Sequence, residues 1–218
     1  MPRLNDTEEY YYIHRKTYSE PFRLRIHRSL SWLEKAEAAE DLDTRFLTYW
    51  IAFNAAYANE IDGRTMAADR SDFRVFLQKV CSLDKEKRLY EMVWQTFSGS
   101  IRVFLENKFV FQPFWDFHNG KISEAAWLEA FSGSKKKIQM ALVNQDTDLV
   151  LMGLFDRLYT LRNQIVHGGA TFNSSANRKQ LQDACAILGK VIPEILFIMQ
   201  QIPSNDWGKP FYPFVKED

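Results

Sequence analysis

Apolar residues recur along the chain mostly at spacings of three and four positions, and runs of strict apolar–polar alternation are short. The first spacing is typical of an α-helix that buries one face, whereas strict alternation is typical of a half-buried β-strand. Glycine and proline are sparse, which favours long ordered elements. The pattern therefore predicts an all-α protein.

Two early helices follow from this spacing. The first is predicted from Pro21 to about Glu40, because proline suits the first turn of a helix. Its apolar face is expected to contain Leu24, His27, Leu30 and Leu33, in steps of three. His27 is therefore interpreted as a core residue. The second helix is predicted to follow an Asp43 cap. Its stripe at helical spacing comprises Phe46, Leu47, Trp50, Phe53, Asn54 and Tyr57.

In the middle of the chain, the pattern predicts short helices and one connecting segment rich in aromatic residues. Between 71 and 107 we expect two or three helices, broken near 82–84 and 98–100 by residues that favour turns. The segment 109–120 is rich in aromatic residues and contains Pro113 and an Asn-Gly pair. Such a segment is predicted to be a buried connection or a short hairpin.

The C-terminal half predicts three longer helices. They are expected to run from Ser123, from Asp146 or Asp148 to His167, and from about Ser175 to Gln201. The two glycines after His167 can supply a left-handed termination for the second of these helices. Prolines in the segment 203–218 are expected to end regular structure.

Composition narrows the class of protein. The chain has 218 residues, of which 46% are apolar, so it can form one large domain or two small ones with a well-buried core, and we predict a single domain over 1–218. Within it, 1–20 is expected to be an N-terminal extension and 203–218 a proline-containing tail. Lysine plus arginine balances aspartate plus glutamate at 28 each. No net charge therefore draws the protein to nucleic acid or anionic lipid, and any RNA contact must be local.

Compartment is predicted from three features. The longest apolar stretches are too short to span a bilayer, and the N-terminus lacks the apolar core of a signal peptide. Two cysteines, Cys81 and Cys185, make no disulfide framework, which fits a reducing compartment. We therefore expect a cytoplasmic protein with no membrane partner.

One segment carries residues suited to phosphodiester chemistry. Positions 162–167 read Arg-Asn-Gln-Ile-Val-His, and two glycines follow. Arginine supplies a permanent fork-shaped cation suited to phosphate, and histidine gains and loses a proton near neutral pH. Cations are also common at helix C-termini for electrostatic reasons, and the spacing of Arg162 and His167 by itself favours this simpler reading.

Helical geometry sorts the predicted long helix into two faces at 100° per residue. The apolar face comprises Leu151, Leu154, Phe155, Leu158, Leu161 and Ile165. The polar stripe on roughly the opposite side comprises Asp156, Thr160, Asn163 and His167, and a continuous polar stripe can simply face water. Arg162 lies near the edge of the apolar face, and its long side chain can reach around toward the polar stripe.

Two segments resemble motifs of the HEPN superfamily. The Arg-Asn-x-x-x-His-Gly pattern beginning at Arg162 resembles the Arg-x(4 to 6)-His motif that ends a late helix in that superfamily. Residues 50–57, which read Trp-Ile-Ala-Phe-Asn-Ala-Ala-Tyr, are similar to a segment on an early helix of many bacterial members, including the Apea-like group. The two motifs occur in the expected order and cover about 15 positions.

The resemblance implies a fold and an activity. The fold would be a HEPN-like helical bundle, with up-and-down core helices and extra short helices. The activity would be metal-independent RNA cleavage, with no cofactor, in a toxin or antiphage setting. Arg162 would polarise the scissile phosphate, His167 would move protons, and Asn163 would position a proton or the substrate. Some toxin members have a tyrosine two positions after the histidine, where this chain has Gly169.

The resemblance also implies partners. A homodimer would bring two histidines together, and the polar surface at Asp156 and Thr160 is predicted to form its interface. A protein partner such as an antitoxin is a further expectation.

Asn54 is interpreted either as a buried amide that ties helices together or as a group that orients Arg162 or His167. The alternative function is a non-catalytic HEPN-like module that binds RNA, a nucleotide or a protein, and a purely structural protein is a third reading.

Three other features remain weaker candidates. Lysines at 135–137, with Lys85, Lys87 and Arg88, can form a basic patch for RNA, although we interpret them as a solvated helix surface. Aromatic residues in 109–117 can stack bases or pack in the core. Asp116 and His118 supply two potential metal ligands without a third, so we expect no metal site.

Overall fold

The computed structural model describes residues 4–58, 67–210 and 212, with the side chains of 67–70 not described. Over these residues the protein is all-α, with no β-strand, which confirms the predicted fold class. The α-helices are α1 (Leu4–His14), α2 (Glu20–Glu37), α3 (Leu42–Tyr57), α4 (Ala67–Leu83), α5 (Arg88–Glu91), α6 (Ser98–Glu106), α7 (Gln112–His118), α8 (Glu124–Asn144), α9 (Thr147–Val166) and α10 (Arg178–Gln201). No described helix combines the length and apolar character needed to cross a membrane.

The chain divides into two compact units. The first unit comprises Met1–Lys85 and Cys185–Asp218, and the second comprises Glu86–Ala184. The prediction of a single domain over 1–218 stays a prediction.

The buried face of α2 differs from its predicted face. It comprises Phe22, Arg25, Ile26, Ser29, Leu30, Leu33 and Ala36. The interpretation of His27 as a core residue is wrong, because His27 is exposed and its ring stacks on Tyr11 with the centroids 6.2 Å apart. The predicted steps of three rotate by about 60° around a helix each time, so they leave the buried face that alternating steps of three and four follow.

The second predicted helix is α3, and its cap is Asp41 rather than Asp43. Asp41 has an extended backbone, and its carboxylate accepts a hydrogen bond from the Thr44 amide at 2.8 Å. Two aspartates two positions apart are equally good caps by residue type, and the backbone conformation decides between them. Trp50 and Phe53 are buried as predicted, and both rings contact Phe73 on α4.

The predicted N-terminal extension contains a packed helix. The Thr7 hydroxyl on α1 donates a hydrogen bond to the Pro193 carbonyl, and the Gln200 amide donates one to the Thr7 carbonyl. Both partners lie on α10, at the opposite end of the chain. Pairing between chain ends is invisible to local periodicity, which is why this contact was not predicted.

A pair of carboxyl groups joins α1 to α2. Burial is the largest cause that raises the pKa of Glu8 to about 7, followed by the charge of Glu34 and a hydrogen bond to it. The folded protein therefore binds more protons than the unfolded chain between about pH 4.5 and pH 7, so folding stability falls as the pH rises through this window.

We expect the Glu8→Gln protein to lose part of this pH dependence. Ionisation of Glu8 lowers the unfolding midpoint at about pH 8 relative to that at about pH 5, and the substitution should remove this contribution. Thermal unfolding at both pH values measures it, with Glu9→Gln as a control because Glu9 is an exposed carboxylate on the same helix. An unchanged difference in Glu8→Gln would contradict the prediction. Glu8 is partly exposed, so water screens the effect and we expect a small one.

The aromatic segment of the second unit is helical. Residues Lys108–Val110 form a 3₁₀ turn, α7 follows, and Gly120 adopts a φ of 70° in the turn after that helix. The prediction of a short hairpin is therefore wrong. Pro113 lies in the first turn of α7, where proline favours a helix start rather than a strand turn. The predicted start of the next helix is confirmed, because the Ser123 hydroxyl caps α8 by accepting from the Ala126 amide.

Among the side chains that the structure describes, two arginines are buried, one in each unit. Arg25 on α2 is fully buried, and its guanidinium donates to the carbonyl oxygens of Ala56, Ala58 and Gly208 at 2.9, 3.0 and 3.2 Å. Burial lowers the pKa of Arg25 to about 10. Arg157 on α9 is 4% exposed, and it lies over a phenylalanine ring in its own unit, 4.1 Å from the centroid.

Candidate functional site

The 20-residue helix α9 carries the candidate motif at its C-terminal end. Its predicted bounds are confirmed, with Asp146 at the N-cap and His167 at the C-cap. Five of the six predicted apolar residues, Leu151, Leu154, Phe155, Leu158 and Leu161, are completely buried. Ile165, in the last turn, is half-buried. The end of α9 therefore emerges from a well-packed helix, which holds the motif on a rigid support.

Two glycines stop α9 immediately after His167. Gly168 has a φ of 71°, and its amide donates to the Ile165 carbonyl at 3.1 Å. The Gly169 amide donates to the Gln164 carbonyl at 2.6 Å. This pair of bonds is a Schellman motif, which needs a left-handed residue that glycine adopts without strain. A Cβ atom on Gly169 would lie 2.8 Å from the Gln164 carbonyl oxygen, so the backbone approach also needs glycine there.

Arg162 and Asn163 are brought together. The Arg162 guanidinium donates through Nη1 to the Asn163 side-chain oxygen at 3.0 Å, and both residues are half-buried. His167 is exposed, and its amide donates to the Asn163 carbonyl at 3.0 Å. Among the described residues the structure gives the His167 imidazole no hydrogen bond to either side chain. The three motif residues thus form one local group in which the histidine is the member most open to solvent.

The predicted polar stripe is not a water-facing surface along its length. Thr160 is only 2% exposed, and its hydroxyl donates to the Asp156 carbonyl one turn earlier, while Asp156 is half-buried. The prediction that Asp156 and Thr160 form a dimer surface is therefore wrong for Thr160. The middle of α9 buries polar positions as well as its apolar face, and only packing partners far away in sequence reveal this. Solvent reaches the stripe toward its C-terminal end, at Asn163 and His167.

Gln164, inside the motif, makes two structural hydrogen bonds that the sequence pattern does not predict. Its Nε2 donates to the Phe109 carbonyl at 2.6 Å, and its Oε1 accepts from the Asn177 amide at 3.1 Å. These bonds tie the end of α9 to the 3₁₀ turn before α7 and to the residue that precedes α10. One partner is a main-chain carbonyl 55 positions away, so nothing in the local sequence signals the contact.

Asn54 lies on α3 in the first unit. It is half-buried, and its side-chain oxygen is buried without a hydrogen-bond partner among the described residues. The amide oxygen therefore makes no tie to another helix within that part of the chain. The interpretation that Asn54 orients Arg162 or His167 stays a prediction.

The other candidate features are local surface structure. The Asp116 carboxylate accepts from Gln112 at 3.0 Å and lies 3.7 Å from the Lys121 ammonium. No group of three potential metal ligands occurs within residues 4–58, 67–210 and 212. The lysines at 135–137 are exposed, as expected for a solvated helix surface.

The chain matches no protein-family model, no curated protein and no solved structure at a significant level. The resemblance to HEPN proteins therefore rests on two motif segments, residues 50–57 on α3 and 162–168 at the end of α9. Function is best inferred from the chemistry of the exposed helix end.

Proposed function

We propose that this protein is a metal-independent endoribonuclease of the HEPN type. The observation that carries the proposal is the helix end itself, where Asn163 holds the Arg162 guanidinium and its main-chain carbonyl accepts from the amide of the exposed His167 at the C-cap. A phosphate-binding cation and a group that can move protons are the two components that RNA cleavage without metal requires.

The proposed reaction uses the ribose 2′-hydroxyl as the nucleophile. His167 removes the 2′ proton while that oxygen attacks the adjacent phosphorus, and Arg162 stabilises the charge that develops on the phosphoryl oxygens. The bond from phosphorus to the 5′ oxygen breaks, and that oxygen receives a proton. The products are a 2′,3′-cyclic phosphate and a free 5′-hydroxyl, and no oxidant or cofactor takes part.

Asn163 acts as a positioning residue in this proposal. A guanidinium carries five N–H donors, and the bond to Asn163 uses one of them. The remaining donors can bind a phosphate in the forked arrangement that arginine favours. Fixing the plane of the guanidinium before the substrate arrives reduces the entropy lost on binding.

A second proton-transfer group is needed to protonate the 5′ oxygen, and one motif contains one histidine. We propose that the active species is a homodimer that contributes two copies of His167 to one cleft. Since Thr160 is buried, the proposed contact involves the exposed end of α9, where Val166 is 49% exposed. The proposed setting is toxin or antiphage activity controlled by a protein partner. Control by modification of a tyrosine after the histidine does not extend to this chain, which has Gly169 there.

The test is the chemistry of the RNA ends. The native protein, incubated with mixed cellular RNA in excess EDTA, is expected to produce fragments with 2′,3′-cyclic phosphate and 5′-hydroxyl ends. The double variant Arg162→Ala/His167→Ala, purified identically, controls for contaminating nucleases. Its thermal unfolding should match that of the native protein, because the Schellman glycines and the buried face of α9 are unchanged.

Cleavage that persists in the double variant would refute this site. Absence of cleavage, together with RNA binding that both proteins retain, would favour the non-catalytic module instead. The mass of the native protein in solution tests the dimer separately, since a fully active monomer would require a second proton-transfer group within one copy.

A further inference from the structure

Phe109 is an exposed aromatic residue on an unusually well-anchored backbone. Its side chain is 43% exposed, yet its amide donates to the Asn107 side chain at 2.9 Å. Its carbonyl accepts from the Trp115 indole at 2.7 Å and from Gln164 at 2.6 Å. Three hydrogen bonds thus fix the main chain of a residue whose ring is not buried. Phe114, in the same aromatic segment, is by contrast buried, with only 8% of its surface exposed.

Gln164 ties the main chain of Phe109 to the last turn of α9, three positions before the proposed catalytic histidine. Residues three apart on a helix are surface neighbours, with Cβ atoms about 5–6 Å apart, so Gln164 and His167 share one side of α9. The Gln164 side chain reaches the Phe109 carbonyl directly. The backbone of Phe109 therefore lies against the end of α9, on the side where the positions of Gln164 and His167 fall.

The side chain of Lys108 places a positive charge beside the exposed ring of Phe109. The exposed Lys108 ammonium lies 5.3 Å from the centroid of the Phe109 ring and 5.4 Å from that of Phe114. The chain as a whole has no net charge, so this positive group beside a ring is a local feature. An exposed ring can stack on a nucleobase, and a neighbouring lysine can bind the adjoining phosphate.

We infer that Phe109 and Lys108 form a nucleotide-binding subsite for single-stranded RNA beside His167. The ring stacks on one unpaired base, and the ammonium contacts the backbone phosphate next to it. A base within a duplex is already stacked on its neighbours, so the subsite selects single strands. The inference rests on the proposed ribonuclease function for the nature of its ligand and deepens it by naming single-stranded RNA as the substrate.

Binding to a cleavage-deficient protein tests the subsite independently of catalysis. In the His167→Ala background, fluorescence anisotropy measures the Kd for a labelled random-sequence single-stranded RNA of about ten nucleotides. Phe109→Leu, which removes the aromatic face but keeps apolar bulk, is expected to weaken binding by about 5- to 100-fold, the range for one lost base stack. Phe109→Tyr should bind like its parent, and its unfolding midpoint shows that the fold survives changes at this position.

Further measurements test the phosphate contact of Lys108 and show whether the effect on RNA binding is specific to the ring of Phe109. Lys108→Gln should reduce the slope of log Kd against log salt concentration by about 0.7, the value for one phosphate contact to a single strand. Tyr12→Leu removes another exposed aromatic ring, in the first unit, and should leave the Kd unchanged. A perfectly paired duplex should show no dependence on the ring at Phe109.

The outcomes distinguish the subsite from the catalytic proposal. Equal Kd values for Phe109→Leu and its parent would overturn the subsite, even if the native protein cleaves RNA at His167. Failure of the parent to bind single-stranded RNA would overturn it as well. Ring-dependent binding by a protein whose native form cleaves no RNA would support the subsite and refute the ribonuclease.

Discussion

The His167→Ala protein is expected to cleave RNA about 10²- to 10⁴-fold more slowly than the native protein, the range for loss of one general acid–base group. The loss should appear in kcat, because the imidazole takes part in the proton-transfer step rather than in substrate binding. Arg162→Ala should lower kcat and raise KM together, since the guanidinium contacts the phosphate in both the ground state and the transition state.

Steady-state cleavage of a short fluorogenic RNA measures both constants. His27→Ala is the matched control, because His27 is an exposed histidine on α2 and lies outside the proposed site. A His167→Ala protein with the kcat of the native protein would remove the histidine from the mechanism. A rise in KM alone would instead make it a binding residue.

The Arg25→Ala protein is expected to be about 3–5 kcal/mol less stable than the native protein, because the change leaves main-chain acceptors unpaired and replaces a large buried side chain with a small one. Three main-chain carbonyls, at Ala56, Ala58 and Gly208, lose their guanidinium donor at once. A buried acceptor without a partner costs about 1–3 kcal/mol, and the alanine also leaves a cavity.

Urea unfolding followed by circular dichroism gives the free energy of unfolding. Arg23→Ala serves as the control, because Arg23 is exposed on the same helix, and its loss should change stability by less than about 0.5 kcal/mol. The loss of stability in Arg25→Lys should lie between those of Arg25→Ala and Arg23→Ala, because a single ammonium group cannot reach all the acceptors that a guanidinium reaches. A loss below about 1 kcal/mol in Arg25→Ala would mean that the three carbonyls find other donors.

Helix positions were largely predictable because their signals are local. Ser123 caps α8, and the glycine pair after His167 stops α9, as the residue types at those positions indicate. The exceptions have local causes too. Asp41 and Asp43 compete for the same cap, and Pro113 suits either a turn or the first turn of a helix.

Burial was less predictable because it depends on what packs against each face. His27 was assigned to the core of α2, where Arg25 takes the buried position. Thr160 was assigned to a solvent-facing stripe and is buried. In each case the helix was correct and the buried face was not, because periodicity indicates that a face is buried but not how far burial extends around the helix.

Local sequence signals were enough to predict the all-α class, the approximate bounds of the long helices and the position of Arg162, Asn163 and His167 at a helix end. These properties depend on residues within a few positions of one another. Two contacts depend on tertiary packing: the buried Arg25 guanidinium donates to three carbonyls, and Gln164 joins the motif to Phe109. Contacts of this kind join main-chain groups tens of positions apart, and a carbonyl oxygen is present at every residue, so its partner leaves no mark on the sequence pattern.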